Sequence, residues 1–298
     1  MDHLYLIGNG FDIFTGLHTS YRDFKRWLQL HYVFVYEAIE AAYGVHDIEW
    51  WNDFEVSLGK LDIQRFVELY TPPPKTEQEI LNAIKEKKER KDSSEIFPPS
   101  LAYDSPCAKR LIGLFDIVGY CLRKWVLSFT SITDAKYIHL EKENSVFVNF
   151  NYTRTLELLY DIPEGNILHI HGSAFKSEKL VFGHNSSHRG MFYAFDAEKV
   201  SDALDTYEKN PYEYIFKNKT FFRKIEDVKH IHIYGLSLSP VDINYLDWIY
   251  QNTLSSTDWE FSLYSVEDKN RIDRFLFSHW DLKSRIKLIQ LKDIEQSE

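Results

Sequence analysis

One pattern, occurring four times, constrains this sequence more than any other: an apolar run of strand length stops at a glycine or small polar residue before a helical stretch. Leu4 to Ile7 stops at Gly8-Asn9-Gly10, Ser145 to Phe150 at Asn151-Tyr152-Thr153, Asn166 to Ile170 at His171-Gly172-Ser173, and His230 to Tyr234 at Gly235-Leu236-Ser237. Runs that do not alternate with polar residues suit strands buried on both faces. Strands separated by helices fold as βαβ units around a parallel sheet. Further strands are predicted over 180–182, 259–264 and 286–289, and helices over 108–129, 153–159, 212–225, 241–254 and 268–277. A long helix capped by Thr19 or Ser20 presents Tyr21, Phe24, Leu28, Tyr32, Val35 and Ile39 on one face, and a second helix follows Asn52.

The predicted fold class is α/β: a Rossmann-like, mainly parallel sheet flanked by helices, with a helical insertion. Residues 1–298 read as a single domain. Residues 71–106 read as an exposed insertion within it, opened by Pro72-Pro73-Pro74, carrying the charge run 85–92 and nearly closed by Pro98-Pro99. A formal net charge of −10 argues against nucleic acid as a partner. Cys107 and Cys121 form no CxxC or Cys/His pattern, which argues against a disulfide framework or a structural zinc and for a reducing compartment. The N-terminal apolar run is too short for a signal peptide or a spanning helix, and no later stretch reaches spanning length. A cytoplasmic protein without a membrane partner is expected.

In open parallel sheets, ligands bind outside the carboxyl ends of the strands, so the strand ends supply the candidate site. Gly8 and Gly10 let backbone N–H groups approach an anion, although Ile13 stands where a GxGxxG motif needs its third glycine. Asn151 is either the cap of the next helix or a strand-end amide that holds a ribose hydroxyl. His169 and His171 alternate onto one strand face, and His is the natural general base at neutral pH. A metal reading through His169, His171, His184 and Asp242 stays open beside it. Gly235 and Ser237 suit a phosphate or ribose wall. Ser239 reads as a helix cap, and Asp242 as a first-turn dipole residue or a ligand contact. In Trp50-Trp51-Asn52-Asp53-Phe54-Glu55, the Asn52/Glu55 spacing fits a capping box, with pocket lining as the alternative.

The segments Leu6 to Asp12, Gly16 to Phe24 and Trp51 to Glu55 resemble the bacteriophage abortive infection AbiH family. So do Phe150-Asn151-Tyr152-Thr153, His171-Gly172, Gly183-His184-Asn185, and Gly235-Leu236-Ser237 with Asp242, so that the resemblance runs over about residues 4–250. The same skeleton is similar, more distantly, to sirtuin-like (SIR2-like) NAD-processing domains, through Gly8 and Gly10, Asn151, His171-Gly172-Ser173, and Gly235 with Ser237. Thr153 stands where those domains carry an acid, and their zinc cysteines are absent. The resemblance implies an antiphage protein that binds and hydrolyses NAD at the nicotinamide–ribose bond, with NAD as substrate and no metal. Asn151 and His171 would be catalytic. Gly8, Asn9, Gly10, Phe11, Asp12, Tyr152, Gly172, Gly235, Ser237 and Asp242 would bind the nucleotide. The implied partners are a small-molecule nucleotide, a phage or host protein as trigger, and a second copy in a homo-oligomer. The competing readings are a metal-dependent hydrolase or nuclease, and a non-catalytic nucleotide-sensing defence module.

Overall fold

A computed structural model describes residues 1–44, 48–70, 105–129, 135–186 and 195–294. Its centre is a six-stranded, wholly parallel sheet in the order β3-β2-β1-β4-β5-β6. The strands are β1 (His3–Ile7), β2 (Ser145–Asn149), β3 (Ile167–His169), β4 (His230–Tyr234), β5 (Asp258–Ser262) and β6 (Ile286–Ile289). Alternation along β1 sends Leu4 and Leu6 to one face, where they join Val146, Val148, Ile231, Ile233, Trp259 and Phe261 in one apolar cluster. Tyr5 and Ile7 face the other side with Phe147 and Tyr234. From β1 the strand order runs outward in both directions, to β2 and β3 on one side and to β4, β5 and β6 on the other. The strand order therefore reverses between β1 and β4, a topological switch point, where sheets of this kind open a crevice.

Helices cover the sheet and build a separate layer. After β1 come α1 (Asn9–Phe14), α2 (Tyr21–His31), α3 (Val33–Tyr43), α4 (Ile48–Asn52), α5 (Phe54–Leu58), α6 (Ile63–Tyr70) and α7 (Pro106–Leu127). Between β2 and β3 lies α8 (Thr155–Tyr160), and before β4 lie α9 (Phe195–Asp205), α10 (Pro211–Lys217) and α11 (Lys219–Phe222). The last helices are α12 (Ile243–Asn252) and α13 (Val266–Ser278). A third apolar cluster joins Phe24, Leu28, Val35, Ile39, Trp51, Phe54, Phe66, much of α7, and Ala197 to Leu204 of α9, so a helical layer with its own core stands beside the sheet.

Several sequence expectations change here. The long helix after Ser20 breaks at Tyr32 (φ −145°, ψ 55°), and the break lets α2 and α3 turn Phe24 and Leu28, and Val35, Ile39 and Ala42, into the same core. The helix α1 begins directly after Gly8, where only a turn was expected. Residues 180–182 form no strand; Val181 N–H donates to the His171 carbonyl at 2.9 Å instead. The helix expected over 212–225 divides at Asn218 into α10, α11 and a 3-10 turn. Of the expected insertion, 71–104 lie outside the described residues, while Ser105 and Pro106 begin α7: the Ser105 hydroxyl accepts from Ala108 N–H and Pro106 fills the first turn. Cys107 and Cys121 both lie buried on α7. No helix among the described residues is long and apolar enough to cross a membrane.

Candidate functional site

A cavity of about 980 Å³ opens at the carboxyl rim, between the strand ends and the helical layer, at the upper end of the usual range for ligand pockets, about 300–1,000 Å³. Gly8, Asn151, His171 and Gly235, which follow β1, β2, β3 and β4, all line it. Asn9, Gly10, Asp12, Tyr152, Ser237 and Asp242 line it as well. Two expected binding residues do not. Phe11 is fully buried against Tyr160 in the core below the rim. Gly172 takes a left-handed turn (φ 81°) whose missing side chain would meet Glu178 and Lys179.

The glycines serve a different purpose from the one expected. A Cβ on Gly8 would lie 2.5 Å from the Leu236 Cα, and one on Gly235 would lie 1.9 Å from the Phe11 nitrogen. Gly8 N–H donates to the Tyr234 carbonyl at 2.9 Å, Gly10 N–H to the Gly235 carbonyl at 2.8 Å, and Phe11 N–H to the Gly8 carbonyl at 3.0 Å. Gly235 N–H donates to Ser262 Oγ at 2.8 Å. These N–H groups are spent within the protein, two of them tying the β1 loop to the β4 loop, so the expected anion nest is not available from them. Asp12, in the first turn of α1, is buried, and burial raises its carboxyl to about 6; the Thr153 hydroxyl, donating at 2.5 Å, opposes the rise.

The polar floor of the cavity lies at the other strand ends. Asn151 caps no helix: its Nδ2 donates to the Gly8 carbonyl at 3.1 Å and stitches the β2 loop to the β1 loop. His171 is 2 % exposed, with its ring edge-on to Phe150 and 5.9 Å from the ring of Tyr245. Burial, and then the nearby Lys209 ammonium, hold it well below the usual imidazole range, so the ring is neutral near pH 7. Asp242 occupies the N-cap position of α12 without capping it through its side chain. The Ser239 hydroxyl donates to Asp242 Oδ2 at 3.3 Å, and burial raises the carboxyl to about 6. His171 Nε2 and Asp242 Oδ1 face each other at 3.9 Å, too far for a hydrogen bond, and among the described residues neither atom has a hydrogen-bond partner. Buried polar atoms are nearly always satisfied, so this gap is where a ligand hydroxyl or water fits.

Lys209, which sequence reasoning missed, and Glu55, for which pocket lining was the alternative to a cap, complete the floor. Lys209 is 5 % exposed, and its Nζ donates to Glu55 Oε2 at 2.5 Å and lies 3.4 Å from His171 Nδ1. Glu55 Oε1 accepts from the Tyr21 hydroxyl at 2.6 Å and from the Tyr152 hydroxyl at 3.2 Å. Both phenols are raised by burial first and by Glu55 second, so they stay protonated donors. The expected capping box is thereby corrected: Glu55 is committed to the cavity, and Asn52 accepts from Arg22. The segment Gly183-His184-Asn185 supports Lys209 through its backbone. His184 N–H donates to the Tyr207 carbonyl at 3.2 Å and Lys209 N–H to the His184 carbonyl at 2.7 Å, an isolated bridge that sets Lys209 in place.

The ligand set of the metal reading is scattered. His169 Nε2 contacts Glu157 Oε1 at 2.8 Å, and its Nδ1 the Asn151 carbonyl at 3.3 Å. His184 Nε2 contacts the Leu204 carbonyl at 3.1 Å, and its Nδ1 accepts from Ser186 N–H. Among the described residues no group of three or more His, Cys, Asp or Glu is arranged to hold a metal ion.

No curated protein and no solved structure matches the chain. A family model described as bacteriophage abortive infection AbiH matches residues 4–263. The match runs from the first strand to the end of β5 and takes in Glu55, Asn151, His171, Lys209 and Asp242. The chain therefore belongs to the bacteriophage abortive infection AbiH family.

Proposed function

We propose that this abortive-infection protein binds NAD in the rim cavity and hydrolyses its nicotinamide–ribose bond. The carrying observation is the pair of buried, unpartnered atoms His171 Nε2 and Asp242 Oδ1, 3.9 Å apart in a cavity large enough for a dinucleotide. In this reading the floor seats one sugar hydroxyl or the attacking water, with the nicotinamide ribose beside Asn151 at the strand end. In the reaction the bond from C1′ to the nicotinamide nitrogen breaks, its electron pair leaves with neutral nicotinamide, and C1′ gains oxocarbenium character. Water adds to C1′ and gives up a proton to the floor, from which it passes to solvent; the products are nicotinamide, ADP-ribose and a proton. The buried carboxylate of Asp242 stabilises the positive charge that grows at C1′, and the base contributes about 10²–10⁴ in rate.

A ligand that binds only the folded state raises its stability by about 2.7 kcal/mol at one hundred times its Kd. NAD should therefore raise the melting temperature of the wild type, and by clearly less in Asn151→Ala and His171→Ala. An unchanged melting temperature at millimolar NAD, or an equal rise in all three proteins, overturns the reading.

A further inference from the structure

The two facing atoms on the cavity floor are not equivalent, and Lys209 is the reason. Lys209 Nζ is held by Glu55 Oε2 and lies 3.4 Å from His171 Nδ1. An ammonium can only donate. A proton on Nδ1 would set two donors against each other in a buried site, whereas a bare Nδ1 turns the contact into a hydrogen bond. The Phe150 carbonyl also lies within hydrogen-bonding reach of the ring and competes for its proton. A charge-assisted hydrogen bond is about twice as strong as a neutral one, so the ammonium prevails. The single proton of the neutral ring then sits on Nε2, the nitrogen 3.9 Å from Asp242 Oδ1.

We infer that His171 and Asp242 form a donor–acceptor clamp for one hydroxyl oxygen: His171 Nε2–H donates to that oxygen, and Asp242 Oδ1 accepts its proton. In this arrangement Asp242 is the general base, His171 is the neutral donor that orients the oxygen, and Lys209 is a positioning residue that fixes the tautomer through Nδ1. The geometry agrees on each count. The 3.9 Å separation is too long for direct contact, and one oxygen at about 2.8 Å from each atom sits to the side of the line between them. Both facing atoms lack partners. The remaining groups near the clamp are committed or neutral: Glu55 to Lys209, Tyr21 and Tyr152, and Tyr245 as an un-ionised phenol. The clamp thus selects a hydroxyl that can donate and accept at once, a ribose hydroxyl or water; an ether or a carbonyl oxygen cannot use both sides. The proposal rests on the NAD-cleavage reading for its substrate but not for its geometry.

Ring-nitrogen NMR of the ¹⁵N-histidine-labelled full chain at pH 7 tests the tautomer without any turnover. The expected result is a neutral His171 ring protonated on Nε2 in the wild type, and a shift toward the Nδ1-protonated form in Lys209→Met, whose far-UV spectrum reports that it folds. A wild-type ring protonated on Nδ1 overturns the clamp, whatever the turnover. Nicotinamide release then assigns the base. Gln keeps a neutral donor, so His171→Gln should lose tenfold or less, while Asp242→Asn loses about 10²–10⁴. The reverse ranking overturns Asp242 as base. A wild type protonated on Nε2 that never releases nicotinamide supports the clamp and removes NAD as its substrate, so the two failures are distinct.

Discussion

Two parts of the rim, built from the same kind of strand-end loop, do opposite things with their polar atoms. Where the β1 and β4 loops meet, Gly8, Gly10 and Gly235 let backbone lie against backbone, and their N–H groups are all satisfied. At the end of β3 and at the N-cap of α12, the buried atoms His171 Nε2 and Asp242 Oδ1 lie 3.9 Å apart with no hydrogen-bond partner among the described residues. The first region is finished as a piece of structure, and the second is complete only with something in it. The glycine pattern of this chain is therefore a packing device, and the polar side chains buried at the rim are His171, Asp242, Lys209 and Glu55.

Substitution should separate the two regions sharply. The largest effect belongs to Gly235→Ala, which forces a side chain into a left-handed backbone (φ 65°) and onto the Phe11 nitrogen. Strain and overpacking together cost about 4 kcal/mol, which in a chain of this size lowers the melting temperature by roughly 10 °C or prevents folding. A melting temperature within 2 °C of wild type (about 1 kcal/mol) would show that the two loops are not locked together.

Asp242→Asn should move stability the other way. Burial raises the carboxyl from 3.8 to about 6. The cost of the buried charge is absent below pH 4, grows as pH rises from about 4 to about 6, and is full above that. At 1.36 kcal/mol per pKa unit, the neutral amide should stabilise the protein at pH 7 by roughly 2–3 kcal/mol, and by little at pH 4. Urea unfolding at both pH values reads this; destabilisation at pH 7 would show that Asp242 holds structure rather than a ligand.

The smallest effect concerns His171. Its folded pKa lies below the unfolded value of 6.5, so the unfolded state takes up a proton first, and stability falls as pH drops below 6.5. His171→Gln should remove that part of the acid sensitivity. A wild type and variant with parallel stability curves between pH 7 and pH 5 would place His171 in a more polar setting than the one described.

Much of the frame was legible because parallel strands buried on both faces leave unbroken apolar runs. The run from His230 to Tyr234 and the run from Ile286 to Ile289 are strands at the predicted bounds. The break at Tyr32 was not legible, because the apolar spacing before and after it matches one continuous helix while tertiary packing decides where the chain turns. The rim position of Asn151 and His171 followed from strand ends alone. Glu55 was visible, but its spacing from Asn52 suits a local cap as well as a distant contact, and only the fold decides between them. Lys209 left no trace of its role. A lysine reads as solvated from sequence, and its burial depends on a carboxylate 154 positions away in the chain.

The most direct test of the ligand seat is nicotinamide release from NAD by protein purified from phage-challenged cells, comparing wild type with His171→Ala at matched folding. The account predicts release by the wild type and a loss of about 10²–10³ in the variant, the effect of removing a positioned hydrogen-bond donor. A folded His171→Ala protein that releases nicotinamide at the wild-type rate would contradict it.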